Sequence, residues 1–98
     1  MPTYSVARLA ESDLESIFRF TMKTWGRAQT RRYSKDLREC FQVIADNPSI
    51  GRGCDSIRPG LRRHEHGKHV VFYVIEPGGV LIARVLHQQM IPAKSHFE

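Results

Sequence analysis

The stretch Val70-Val71-Phe72-Tyr73-Val74-Ile75 is apolar without a break, and it constrains the fold more than any other part of the chain. Six β-branched or aromatic residues in a row suit a strand whose two faces are both covered. The residues bounding the run, Gly67-Lys68 before it and Pro77-Gly78-Gly79 after it, are hairpin turns by type. They place a central strand over His69–Glu76, flanked by strands near Leu61–His66 and Val80–Leu86. One layer can cover only one face of such a sheet, so a second cover is required.

The first cover is written ahead of the strands. Tyr4 to Leu9 reads as a short opening strand. Ser12-Asp13-Leu14-Glu15 fits a capping box at a helix start, with a start one turn earlier as the alternative. Leu14, Ile17, Phe18, Thr21 and Trp25 then recur at helical spacing up to Gly26, a natural stop. A second stripe, Tyr33, Leu37, Cys40, Phe41 and Ile44, runs on to Asp46-Asn47-Pro48. Helices joined so tightly at Gly26 must form an antiparallel hairpin.

The chain therefore reads as an α+β fold of order β-αα-βββ: a helical hairpin on a small antiparallel sheet, followed by a short C-terminal segment. Its 98 residues suit one domain over 1–98, burying roughly 60–65% of the surface of the unfolded chain. Leu14, Ile17, Phe18, Trp25, Tyr33, Leu37, Phe41, Val71, Phe72, Tyr73 and Val85 should form most of the core. Ser49 to Gly60 is the one long loop. The second face of the sheet is left to the tail from Gln88 to Glu98, or to a partner.

Fifteen Lys and Arg against ten Asp and Glu give a formal charge of +5. That excess favours polyanionic surfaces, whether nucleic acid, a nucleic-acid-bound enzyme or an acidic protein. The start of the chain lacks a secretory pattern, and no apolar run approaches the ~18 residues of a membrane span. A cytoplasmic protein without membrane association is expected, with Cys40 and Cys54 as free thiols.

Cations are densest at Arg52, Arg58, Arg62, Arg63 and Lys68, interleaved with His64, His66 and His69. Arg84 on the last strand can join one of these faces. Guanidinium groups clamp phosphates and carboxylates bidentately, so this is a candidate anion-binding surface; a solubilising surface with some salt bridges is the plainer alternative. Arg62 and Arg63 are adjacent on a strand and must point to opposite faces. Lys23, Arg27, Arg31, Arg32, Lys35 and Arg38 surround the helix junction, mostly as its wet side.

His64 and His66 share a strand face, yet no third and fourth ligand accompany them, and no metal site is expected. His87 is the best single candidate for a general acid or base because its ordinary pKa of ~6.5 suits proton transfer near neutrality. The alternative is that it caps the sheet and hydrogen-bonds the tail. No phosphate loop, nucleophile with a recognisable base, or pair of carboxylates is present to suggest a conventional hydrolase.

Three stretches, taken together, resemble the RelE/ParE toxin superfamily and its ParE branch. They are Asp13-Leu14 through Thr21 to Trp25-Gly26; Asn47-Pro48 and Ile50-Gly51 through Cys54-Asp55 and Ile57-Arg58 to Pro59-Gly60-Leu61-Arg62; and Gly67-Lys68-His69-Val70-Val71-Phe72-Tyr73 with Ile82 and Arg84-Val85-Leu86-His87-Gln88-Gln89-Met90. One departure is Ile91-Pro92, where the family commonly has Asp after the Met.

The resemblance implies the toxin of a type II toxin–antitoxin system, which inhibits DNA gyrase by binding, needs no cofactor, blocks replication and arrests growth. A ParD-like antitoxin would neutralise it, and operator DNA would be met only through that antitoxin. Arg58, Arg62, Arg63, Lys68, Arg84 and His87 are then the target-binding candidates, with no catalytic residue. The rival RelE branch implies a ribosome-dependent mRNA endonuclease, for which His87 would be catalytic, although the late Tyr of that branch is absent. A third possibility is an inactive relic that only binds its antitoxin.

Overall fold

A computed structural model describes residues 2–90 and 92–97. Strand β1 (Thr3–Val6) leads into helix α1 (Arg8–Trp25) and helix α2 (Arg27–Asp46). A 3-10 turn at Pro48–Ile50 and the two-residue strand β2 (Arg52–Gly53) precede β3 (Leu61–His66), β4 (His69–Glu76) and β5 (Gly79–His87). A final 3-10 turn spans Lys94–Phe97. The five strands form one sheet in the order β1-β5-β4-β3-β2.

The α+β class and the helical hairpin are as expected, and β3 and β4 occupy the expected residues. The sheet is mixed, because β1 pairs parallel to β5, with Thr3 opposite Gly79 and Val6 opposite Ile82. The other pairings are antiparallel. Gly79 makes the edge pairing possible. A side-chain carbon there would lie 1.7 Å from the Thr3 carbonyl oxygen.

Alternation along β4 explains its unbroken apolar run. Val71 and Tyr73 face the helices and join Leu37, Phe41, Ile44, Val80, Ile82 and Val85 in the main core. Val70 and Phe72 face the other way, into a second cluster with Cys54, Leu61, Leu86 and Phe97. The tail therefore supplies the second cover, as one of the two alternatives required. Phe97 meets Phe72 edge-on with ring centroids 5.2 Å apart, which places the two rings in a favourable aromatic geometry.

Only Gly26 separates the helices. Its φ of +88° is a conformation that L side chains rarely adopt, and its N–H closes α1 by donating to the Met22 carbonyl at 3.0 Å. Its own carbonyl accepts from the Thr30 N–H and hydroxyl, opening α2. One residue thus ends one helix and begins the next.

Three expectations need correction. Helix α1 starts at Arg8, about a turn ahead of Ser12 as the alternative allowed, behind Ala7 with no side-chain cap, so Ser12-Asp13-Leu14-Glu15 lies inside the helix as no capping box and the opening strand ends at Val6. The residues mimic a cap because hydroxyl and carboxylate at that spacing also suit a helix surface. Trp25 is 69% exposed, although it continues the spacing that buries Thr21 one turn earlier. The long loop contains β2, too short to leave a periodic signal.

Candidate functional site

Arg84 sits where the strand is irregular. The pairing of β4 with β5 shifts between Phe72 and Tyr73, so that Phe72 opposes Arg84 while Tyr73 opposes Ile82, and Ala83 is the extra residue of a β-bulge. Strand β1 ends opposite Ile82, leaving the outer edge of β5 open from there on. Asp13 of α1 occupies that edge. Its Oδ2 accepts from the Val85 N–H at 3.0 Å, and its two oxygens accept from Nε and Nη2 of Arg84, both at 2.7 Å.

The third nitrogen of Arg84, Nη1, donates to the His96 carbonyl at 2.6 Å. One guanidinium therefore ties α1, β5 and the tail together. Its hydrogen bonds to Asp13 raise the pKa of Arg84, against the opposing effect of burial. With both side chains less than one-fifth exposed, this is an internal clamp.

The adjacent arginines diverge as the strand geometry requires. Arg62 opposes Tyr73 and Arg63 opposes Phe72, so they lie on the helix and tail sides of the sheet respectively. Arg62 donates through Nη2 to the carbonyls of Ser49 and Gly51. It holds the loop that Tyr73 also holds, the Tyr73 hydroxyl donating to the Pro48 carbonyl at 2.6 Å and accepting from the Gly51 N–H at 2.9 Å. Arg63 lies with its guanidinium carbon 5.5 Å from the centroid of Phe72 and its Nε 3.4 Å from Glu65. Arg52 also reaches Glu65.

Arg58 and Lys68 are exposed. Arg58 donates to the Phe97 carbonyl at 3.0 Å and borders an open hollow of about 550 Å³ lined by Asp55, Ile57, Pro59, Lys94 and Phe97. Lys68 occupies the β3–β4 turn, where its carbonyl accepts from the Gln88 N–H at 2.8 Å. Of the six candidates, Arg62 and Arg84 are engaged within the fold, Lys68 presents its cation outward, and Arg58 is exposed while one of its nitrogens holds the tail.

His87 accepts a hydrogen bond from the Gln89 N–H on Nδ1, at 3.1 Å, and its carbonyl accepts from the Met90 N–H at 2.9 Å. It caps the strand and fixes the start of the tail. Ile91, of the Ile91-Pro92 departure, lies outside the described residues. His66 and His87 both oppose His69 across the sheet, and the His69 and His87 rings meet edge-on at 5.6 Å. Tyr33 of α2 completes the group, its hydroxyl 2.5 Å from His69 Nδ1.

Burial, then the neighbouring His87 and His66, push the His69 pKa down. Tyr33 is pushed up to about 12, mainly by burial and further by Cys40 and Asp36. A neutral imidazole beside a neutral phenol is the state this packing favours. Among the described residues no group of three or more His, Cys, Asp or Glu is placed to hold a metal ion. Asp13, read in the sequence as part of a cap, and Tyr33, read as core, take on these roles through partners far along the chain, and nothing local to either residue signals them.

Comparison with known proteins agrees with this architecture. The family model described as ParE toxin of type II toxin-antitoxin system, parDE, matches residues 4–92. Toxin ParE1 of Mycobacterium tuberculosis H37Rv is 40% identical over 88 residues, covering 89% of this chain and 90% of the relative. Toxin ParE1 of Caulobacter vibrioides is 38% identical over 98% of both chains, and Toxin ParE of Escherichia coli is 32% identical over 92% of this chain and 88% of its own. A solved structure titled "Chromosomal ParDE TA system from P. aeruginosa" superposes with a TM-score of 0.72 over 89% of this chain and 96% of that one, at 20% identity, and so shares the fold.

Proposed function

From the premise that this chain belongs to the ParE toxin family of type II toxin–antitoxin systems, we propose that it inhibits DNA gyrase by binding, without chemistry of its own, and is neutralised by a ParD-like antitoxin. The observation that carries the reading is the family match along nearly the whole chain. Operator DNA is contacted only through the antitoxin, and the toxin acts in the cytoplasm, where gyrase and its DNA are met.

The geometry supports recognition over catalysis. His87 has one ring nitrogen engaged by the tail, and His69 is turned toward Tyr33. Arg62 and Arg84 organise the loop and the sheet edge, so their part in target binding is to hold the surface in shape. Arg58 and Lys68, exposed beyond opposite ends of β3, and the partly exposed Arg63 and His87 on the two faces of the sheet are the groups left to meet phosphates or carboxylates of a gyrase–DNA complex.

The test is a supercoiling assay with purified gyrase and antitoxin-free toxin, scored for linearised plasmid, beside a ribosome translation assay. Linear DNA with intact translation is expected. Arrested translation with normal gyrase overturns the reading in favour of a ribonuclease, and no effect in either leaves an inert binder. Replacing Arg58 and Lys68 together by Glu should raise the inhibitory concentration by roughly 100-fold or more, each charge-assisted contact being worth about 1.5–3 kcal/mol. His87→Ala should leave the toxin active; loss of all activity in a folded His87→Ala protein contradicts binding without catalysis.

A further inference from the structure

The sheet has three stretches of outer edge, and two of them are occupied. Beyond Ile82 the edge of β5 is taken by Asp13, whose carboxylate accepts the Val85 N–H. At the other margin β2 covers only Arg62 and Arg63, and the rest of β3 is guarded by charge, with Glu65 joined there by Arg52 and Arg63. Short edge strands and edge charges are the devices by which sheets avoid pairing with other chains. The third stretch, the outer edge of β1, carries no charge.

Strand β1 reads Thr3-Tyr4-Ser5-Val6, with no proline or bulge in it. The N–H groups of Thr3 and Ala7 donate to the carbonyls of Gly78 and Ile82. Thr3, Ser5 and Ala7 therefore turn their backbone groups toward β5, and Tyr4 and Val6 turn theirs outward. Among the described residues nothing hydrogen-bonds to the backbone N–H or carbonyl of Tyr4 or Val6. The Tyr4 and Val6 side chains pack on the main core, while Thr3 and Ser5 are exposed.

We propose that this edge pairs with the same edge of a second copy of the chain, antiparallel about a two-fold axis at Ser5. In that register Tyr4 faces Val6 of the second copy as a pair that exchanges both of its N–H···O bonds, and the same pair recurs beyond the axis. Ser5 meets Ser5 of the second copy as a non-hydrogen-bonded pair, with Cα atoms about 4.5 Å apart. The interface is isologous, each donor finding an acceptor on an identical strand.

The ends of the strand are complementary as well. Gln42 of α2 donates to both the Pro2 carbonyl and Asp46, which places the exposed Asp46 near the start of β1, and the exposed Arg8 follows its end. Antiparallel pairing brings start to end, so Asp46 of each copy comes to the margin that carries Arg8 of the other. Among the described residues neither is in an ion pair within one copy. A strand of 4 residues buries less than the roughly 1,200 Å² of a stable complex, so the dimer is weak and forms between about 10 and 500 µM. The pairing does not depend on which target the toxin meets.

Sedimentation of the full-length toxin over that range should show a mass rising from 11.3 kDa toward twice that value. Ser5→Lys sets like charges face to face on the axis and should stay monomeric, with an unchanged circular dichroism spectrum. Cross-linking then fixes the register. Ser5→Cys should form an intermolecular disulfide under mild oxidation, since its Cα separation is one that a disulfide spans. Thr3→Cys, also exposed on the same face, stands roughly 13 Å along the strands from its own copy and should not. Cys40 and Cys54 are buried, and the wild type serves as the blank.

A mass that stays at 11.3 kDa throughout, a Ser5→Lys protein that associates like the wild type, or Thr3→Cys linking as fast as Ser5→Cys overturns the proposal. So does a monomeric toxin that loses affinity for the antitoxin on Ser5→Lys, which assigns the edge to a strand of that partner.

Discussion

Asp13 serves as a strand substitute and as a counter-ion with one carboxylate. It accepts the Val85 N–H at the open edge of β5 and holds Arg84 in a two-point contact. Asp13→Ala should therefore cost about 3–5 kcal/mol in urea unfolding, because it strands a largely buried guanidinium. Replacing Asp13 and Arg84 together by Leu should cost less than the single change. His69 adds a dependence on pH. Its folded pKa lies below the ordinary 6.5, so the unfolded chain binds the proton first and stability falls as pH drops through about 6.5 toward the folded value. Melting between pH 7 and pH 5 should show a shallower fall for His69→Gln than for wild type; identical slopes would remove His69 from the account.

Among the elements, the loop between α2 and β3 is shaped by the sheet beneath it. The Tyr73 hydroxyl serves the Pro48 carbonyl and the Gly51 N–H together, and Gly51 fits against it only without a side chain, since a Cβ would lie 2.6 Å from that hydroxyl. Tyr73→Phe should cost about 1–3 kcal/mol by leaving both backbone groups buried and unpaired, and amides near Gly51 should exchange faster. This loop marks where the sequence stops being legible. Hairpin turns, helical stripes and the doubly covered β4 are local patterns, and they gave β3 and β4 to the residue. Strand β2, the parallel pairing of β1 and the inward turn of Arg62 and Arg84 depend on partners distant in sequence. Composition could gather those arginines with Arg58 and Lys68 as cations, but not tell which were already engaged.

The whole molecule is two apolar layers divided by one sheet, and the second layer depends on a short tail. Phe97 closes the cluster that contains Phe72, Leu86 and Cys54. Phe97→Ala should destabilise by about 3 kcal/mol and admit thiol reagents to Cys54 faster than to Cys40, which lies in the helix-side core; equal rates would show that the layers open together. Because the sheet is shared by both layers, we expect unfolding in one cooperative transition, and two separate transitions would contradict a single domain. The parallel pairing of β1 with β5 reaches beyond equilibrium. A chain emerging from the ribosome makes β1 and both helices long before β5 exists, so the main core stays open at that edge until β5 has left the exit tunnel. Whatever the finished fold does can therefore begin only after the last strand has been made, when β5 pairs with β1.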